Sequence, residues 1–156
     1  MHFDFELLKE ADAVMTAFEQ AQIRYALAGG FAVALYGHVR ATRDMDYLCH
    51  PDDCGRASTI LSHLGYKAYA EPWTFRQCGI TLHRYMKPIG SGELFHVVDL
   101  LVPPKERICW ITQAERVAWG EDGAVSVVSR GHLLEMKKLR GSAMDQNDIA
   151  NLESDA

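Results

Sequence analysis

Residues Leu27 to Leu48 read LAGGFAVALYGHVRATRDMDYL, and the fold is decided here. The stretch holds a glycine pair at Gly29-Gly30, a short apolar segment, a basic connection, and two carboxylates, Asp44 and Asp46, at i and i+2. Upstream, IRYALA (23–28) is short and rich in branched and aromatic residues, which predicts a strand ending at the glycines. FAVALYG (31–37) then predicts a short helix, with Gly37 suited to its C-terminal cap. Glycines at such a turn let backbone approach a ligand, and a helix start offers unpaired N–H groups to an anion. Two glycines also serve a plain strand-to-helix turn, so by themselves they do not decide.

The next segment adds information. His38, Arg40 and Arg43 make a basic connection, read either as anion contacts or as a solvated loop. DMDYLC (44–49) predicts a strand, and alternation along it sends Asp44 and Asp46 to one face and Met45 and Tyr47 to the other. Two like charges side by side repel unless a cation sits between them. Further on, ELFHVVDLLV (93–102) is a strongly apolar strand carrying one acid, Asp99, on the face of Phe95 and Val97. A charge in such a strand is costly without a partner. His96, three residues earlier, points to the opposite side and reads as structural.

The remaining elements frame these. Residues 3–21 predict an amphipathic helix with Phe3, Leu7, Leu8, Ala11, Val14, Met15 and Phe18 on the apolar stripe. Pro51 opens a helix over 52–64. Strands are expected at 66–70, 80–86 and 124–128. The run Lys87 to Gly92 reads as the clearest loop in the chain, TQAERVAW (112–119) as a short helix, and 130–140 and 144–152 as helices. Trp73, Phe75, Tyr85 and Trp110 are candidates to stack a base, against the plainer reading of core aromatics.

The whole-chain numbers suit an intracellular globular protein of one domain, 1–156, with a core over about 23–128 and a helical segment over about 130–154. Length and apolar content permit a sizeable core. A net charge of −5 argues against a protein that coats nucleic acid by its overall charge. The N-terminus lacks a signal peptide's apolar run, and no stretch approaches a membrane span. Four irregularly spaced cysteines suggest reduced thiols in the cytoplasm, and Cys49, His50 and Cys54 lack the second ligand pair a zinc site needs.

Three acids on two apolar strands, preceded by a glycine turn, suit phosphoryl transfer. Divalent cations on hard oxygen ligands neutralise a triphosphate, one holding the leaving pyrophosphate and the other activating the attacking hydroxyl. A metal phosphohydrolase would instead need histidine ligands, and none pairs with Asp44 or Asp46 at suitable spacing.

These residues resemble the nucleotidyltransferase superfamily that shares its fold with DNA polymerase beta, in its small bacterial stand-alone or toxin–antitoxin branch. Gly29-Gly30, Asp44-Met45-Asp46 and Asp99 match its pattern, and Thr42 to Asp46 fits the T-x-D-x-D form. Lys137, Asp145 and Asp148-Ile149 resemble its C-terminal ending. The resemblance implies an α+β fold, a mixed sheet flanked by helices with short C-terminal helices. It implies that Asp44, Asp46 and Asp99 bind two Mg2+ ions (Mn2+ as a substitute) and carry catalysis, and that Gly29, Gly30, Arg43 and Lys137 contact the nucleotide. The implied substrate is a nucleoside triphosphate, ATP among them, with a small molecule, protein or RNA as acceptor and a cognate antitoxin or toxin as possible partner. The alternative is a non-catalytic nucleotide- or partner-binding module of a toxin–antitoxin pair. Two departures stand out: Ser142 occupies the place of the family's tail arginine, with Arg140 nearby, and Phe31 follows the glycines where a small polar residue is common. The roles of Arg40, Lys138 and Arg140 are left open by the resemblance.

Overall fold

The computed structural model describes residues 5–38, 43–141 and 143–154. Phe3, Arg40, Thr42 and Ser142, which enter the reading above, lie outside them. The chain runs α1 (Phe5–Gln20), β1 (Tyr25–Ala28), α2 (Gly29–Leu35), β2 (Asp44–Cys49), α3 (Cys54–His63), β3 (Lys67–Ala68), β4 (Trp73–Thr74), β5 (Thr81–Ile89), β6 (Leu94–Val102), α4 (Cys109–Thr112), β7 (Glu115–Trp119), β8 (Gly123–Val127), α5 (Arg130–Arg140) and α6 (Ala143–Ser154). Among the described residues the strands form one mixed sheet in the order β3-β5-β6-β2-β1-β8-β7, with β4 also paired to β5. This is the expected α+β architecture.

Alternation along the strands sorts the two faces. Met45, Tyr47, Tyr85, Val98 and Leu100 point to the side covered by α1 and α3 and are buried there with Val14, Met15, Phe18, Ala57 and Leu61. Phe18, Tyr25 and Tyr47 meet with ring centroids 5.4 to 6.2 Å apart, in the edge-on and tilted geometries aromatic rings favour. His96 is on this side too, buried, as expected. The other face carries the acids, and α5 contributes to a cavity above it.

Two expectations are corrected. Residues 115–119 form strand β7, antiparallel to β8, and the short helix before it, α4, covers only Cys109–Thr112. Val117 and Trp119 are half-buried between exposed Arg116 and Ala118, a period of two, and the ring of Trp119 lies 6.3 Å from that of Phe31. The supposed loop at Lys87 to Gly92 is strand as far as Ile89, which pairs with Leu94. Pro88 is tolerated there because β3 reaches only to Met86, which leaves β5 an edge strand at that point.

The C-terminal helices are joined by buried charges. Lys137 on α5 lies 3.1 Å from Asp148 and 3.5 Å from Asp145 on α6, and Arg140 donates two hydrogen bonds of 2.6 Å to Asp145. Both carboxylates are fully buried. Removing one partner of such a set strands the remaining charges. Lys137→Met is therefore expected to lower stability by about 3–5 kcal/mol, read as a fall in the midpoint of thermal or urea unfolding.

Candidate active site

Strand register assembles the site. Antiparallel β1 and β2 set Ala28 opposite Asp46, parallel β2 and β6 set Asp46 beside Asp99, and antiparallel β6 and β5 set Asp99 opposite Arg84. One row across the open face thus reads Ala28, Asp46, Asp99, Arg84, with Asp44 one same-face position away from Asp46. Asp44, Asp46, Asp99 and Arg84 line a cavity of about 400 Å³ together with Gly29, Lys137, Arg140 and an apolar set.

Gly29 opens α2 at a φ of +65°, a conformation glycine adopts without strain. Space requires it as well. A Cβ on Gly29 would lie 2.0 Å from Oδ2 of Asp46 and 2.8 Å from its Cγ. The glycine turn and the acid strand are therefore packed backbone against carboxylate. Gly30 is buried within α2 and does not line the cavity.

Asp44 and Asp46 are half-buried, and Asp99 is 3% exposed. Burial first, then the charges of Asp99 and Asp44, push the Asp46 carboxyl up to about 7, while Lys137 and Arg140 pull the other way. Burial, with Asp99 second, also raises Asp44.

Arg84 is the site residue the sequence reading missed. Its Nε and Nη2 each donate a hydrogen bond of 2.9 Å to one oxygen of Asp99, a bidentate ion pair. The pair raises the Arg84 guanidinium above its ordinary value. Alternation places Arg84 with Leu82 and Met86 on one face of β5, but only the β5–β6 register puts it opposite the acid.

The other expected contacts divide. Lys137 lines the cavity, but its ammonium is held by Asp148 and Asp145. Arg43 is exposed at the head of β2 and is not among the described residues lining the cavity. Of the four aromatics, Trp110 and Tyr85 are buried, whereas Trp73 and Phe75 line the cavity.

The donor set suits a divalent cation in part. Asp44 and Asp46 present crowded hard oxygens whose mutual repulsion a cation would relieve. Each oxygen of Asp99 accepts one hydrogen bond from Arg84, and among the described residues no three His, Cys, Asp or Glu side chains stand together as a preformed metal centre.

No protein-family model and no curated protein sequence matches the chain. Solved structures do. An antigenic nucleotidyltransferase-like protein from Paracoccidioides brasiliensis is 22% identical with a TM-score of 0.62, over 96% of this chain and 77% of that one. The lincosamide antibiotic adenylyltransferase LnuA, solved with lincomycin bound, is 19% identical with a TM-score of 0.62, over 94% and 96%. ANT(2")-Ia, solved with adenylyl-2"-tobramycin, is 14% identical with a TM-score of 0.64, over 96% and 89%. With β1, the glycine turn, α2 and the acid strands in the places described, the chain has the nucleotidyltransferase fold.

Proposed function

We propose that the protein is a nucleotidyltransferase that moves a nucleoside monophosphate, AMP from ATP among them, to a hydroxyl and releases pyrophosphate. The observation that carries this is the register row that sets Asp46 beside Asp99 and against Gly29. Asp44 and Asp46 would hold Mg2+, or Mn2+ in its place. When bound, the cation neutralises triphosphate charge and polarises the phosphorus. Gly29 would bring its backbone to the triphosphate at the cavity wall, with Gly30 buried behind it. Asp99 accepts the proton of the attacking hydroxyl, and Arg84 orients that carboxylate. The four cysteines are unpaired thiols, which suits a reducing cytoplasm. No described helix is long and apolar enough to cross a membrane.

One observation favours a second reading, a non-catalytic nucleotide- or partner-binding module of a toxin–antitoxin pair: both oxygens of Asp99 already accept from Arg84, which weakens the acid as a proton acceptor. Incubation with labelled NTPs and Mg2+, with and without cell RNA, separates the two. Pyrophosphate release supports transfer, and calorimetric binding without product supports the module.

Cation binding has its own test. The Asp46 carboxyl is raised above its unfolded value of 3.8 to about 7, so the folded state holds that proton more tightly than the unfolded chain does. Its contribution to stability is present at low pH and is lost as pH rises from about 4 through about 7. A cation replaces the proton. Mg2+ is therefore expected to raise the melting temperature at about pH 8 and much less at about pH 5. Asp46→Asn should lose most of that pH-dependent gain. Thermal unfolding with EDTA or Mg2+ at both pH values measures it.

A further inference from the structure

The cavity continues past the acids. Two residues along the strands from the row Asp99–Arg84, the next row on the same face reads Leu101 on β6, Leu82 on β5 and Trp73 on β4, cross-strand neighbours in that order. Phe75 meets the Trp73 ring nearly edge-on, with centroids 5.1 Å apart, and Ile80 closes the hairpin behind it. Trp73 is 58% exposed at the rim, so its ring is open to a body entering the cavity. Among the described residues this lobe carries no charged side chain, and its polar groups are the Gln77 amide and the Cys78 thiol.

Sheet order says which substrate meets this lobe. The glycine turn stands at one end of the acid row and Arg84 at the other. A triphosphate beside Gly29 occupies the β1–β2 side. The group that gives its proton to Asp99 comes from the β6–β5–β4 side, over Leu101, Leu82 and Trp73. Same-face positions along a strand are about 7 Å apart, so a body resting on this row brings an attached hydroxyl to Asp99.

We infer that this lobe binds the acceptor, and that the acceptor is an uncharged small molecule with an apolar ring or alkyl body and a hydroxyl at one end. This rests on the nucleotidyl-transfer reading above. The acceptor oxygen bonds to the α-phosphorus, the bond from that phosphorus to the bridging oxygen breaks, pyrophosphate leaves with the electron pair, and the hydroxyl proton passes to Asp99. Among the described residues a polycationic acceptor finds no carboxylate in the lobe. A nucleic-acid strand finds no run of cations among the described residues of the lobe for its phosphates.

The test uses the full chain and three probes: 2-(2-naphthyl)ethanol as apolar alcohol, spermine as polycation, and a short single-stranded RNA. Calorimetry measures binding to wild type, Trp73→Ala and Trp73→Phe, with circular dichroism confirming the fold of each. The alcohol is expected to bind wild type, to lose about 10-fold or more in affinity with Trp73→Ala, and to recover most of it with Trp73→Phe. No alcohol binding, alcohol binding indifferent to Trp73, or Trp73-dependent binding of spermine or RNA instead would overturn the proposal. Binding of Mg·ATP to wild type is measured separately. Trp73-dependent alcohol binding without Mg·ATP binding upholds an apolar-alcohol lobe and removes the nucleotidyl-transfer reading instead.

Discussion

Asp99→Ala is expected to abolish nucleotidyl transfer while the fold survives. Asp99 touches two things in the proposed reaction: the acceptor's proton and Arg84. Loss of a proton acceptor at the reacting centre costs on the order of 10² to 10⁴-fold in rate, and the substitution also removes a carboxylate from beside Asp46. The fold should tolerate it. Arg84 keeps 39% of its side chain in contact with solvent, so its orphaned guanidinium is hydrated, and relief of the repulsion felt by Asp46 offsets part of the loss. Asp99→Asn separates proton acceptance from geometry. The amide oxygen keeps one of the two Arg84 hydrogen bonds, the amide NH2 faces the other donor, and no proton is taken, so transfer should remain low with a fold that persists at somewhat reduced stability. Pyrophosphate release with Mg·NTP, on an acceptor the wild type uses, is the measurement. Retained turnover in either variant would remove Asp99 from its role and the assignment with it.

Gly29→Ala should be nearly as damaging, by a different route. The backbone at Gly29 sits at φ +65°, which costs an alanine about 1 kcal/mol or more. Its Cβ would also arrive 2.0 Å from Oδ2 of Asp46, far inside contact distance. Either the Asp46 carboxylate turns away or the turn shifts, and both move the acid out of its row. A displacement of about 1 Å in a positioned group can cost 10²-fold in rate, so activity should fall at least that far, with a stability loss of about 1–3 kcal/mol. Gly37→Ala is the control. It shares the left-handed backbone, at φ +100°, but among the described residues no atom beyond its chain neighbours lies within 4 Å of the added carbon. It should lose stability and keep activity. Equal loss of activity in both variants would mean that backbone strain, and not the Asp46 contact, is at work.

The parts of this molecule that the sequence made legible are those set by local pattern. Alternation in 44–49 put Asp44 and Asp46 on one face of their strand, alternation in 93–102 put Asp99 with Phe95 and Val97, and the glycine pair marked the turn before them. What sequence could not supply was register, because which residue stands opposite which depends on long-range pairing. Arg84 was invisible for that reason: a lone arginine in ITLHRYM reads as a solvated strand residue until β5 is set against β6. Residues 115–119 were misread because Glu115 and Arg116 gave the segment the polar character of a surface helix, while its period-two signal rests on Val117 and Trp119 alone. Lys137 was legible as a site residue but not as the counter-ion of Asp145 and Asp148, since that contact joins two helices across a turn.

The row Ala28, Asp46, Asp99, Arg84 draws one residue from each of β1, β2, β6 and β5, four neighbouring strands with long stretches of chain between most of them. Such non-local pairing forms late and breaks cooperatively. The site therefore does not exist in any partly folded chain that lacks one of these strands, whereas the short edge strand β3 can open without disturbing it. Ligand binding at this row reports on closure of the sheet's centre as a whole. The amides of β2 and β6 should exchange with solvent only through global unfolding, with protection that rises as ligand is added.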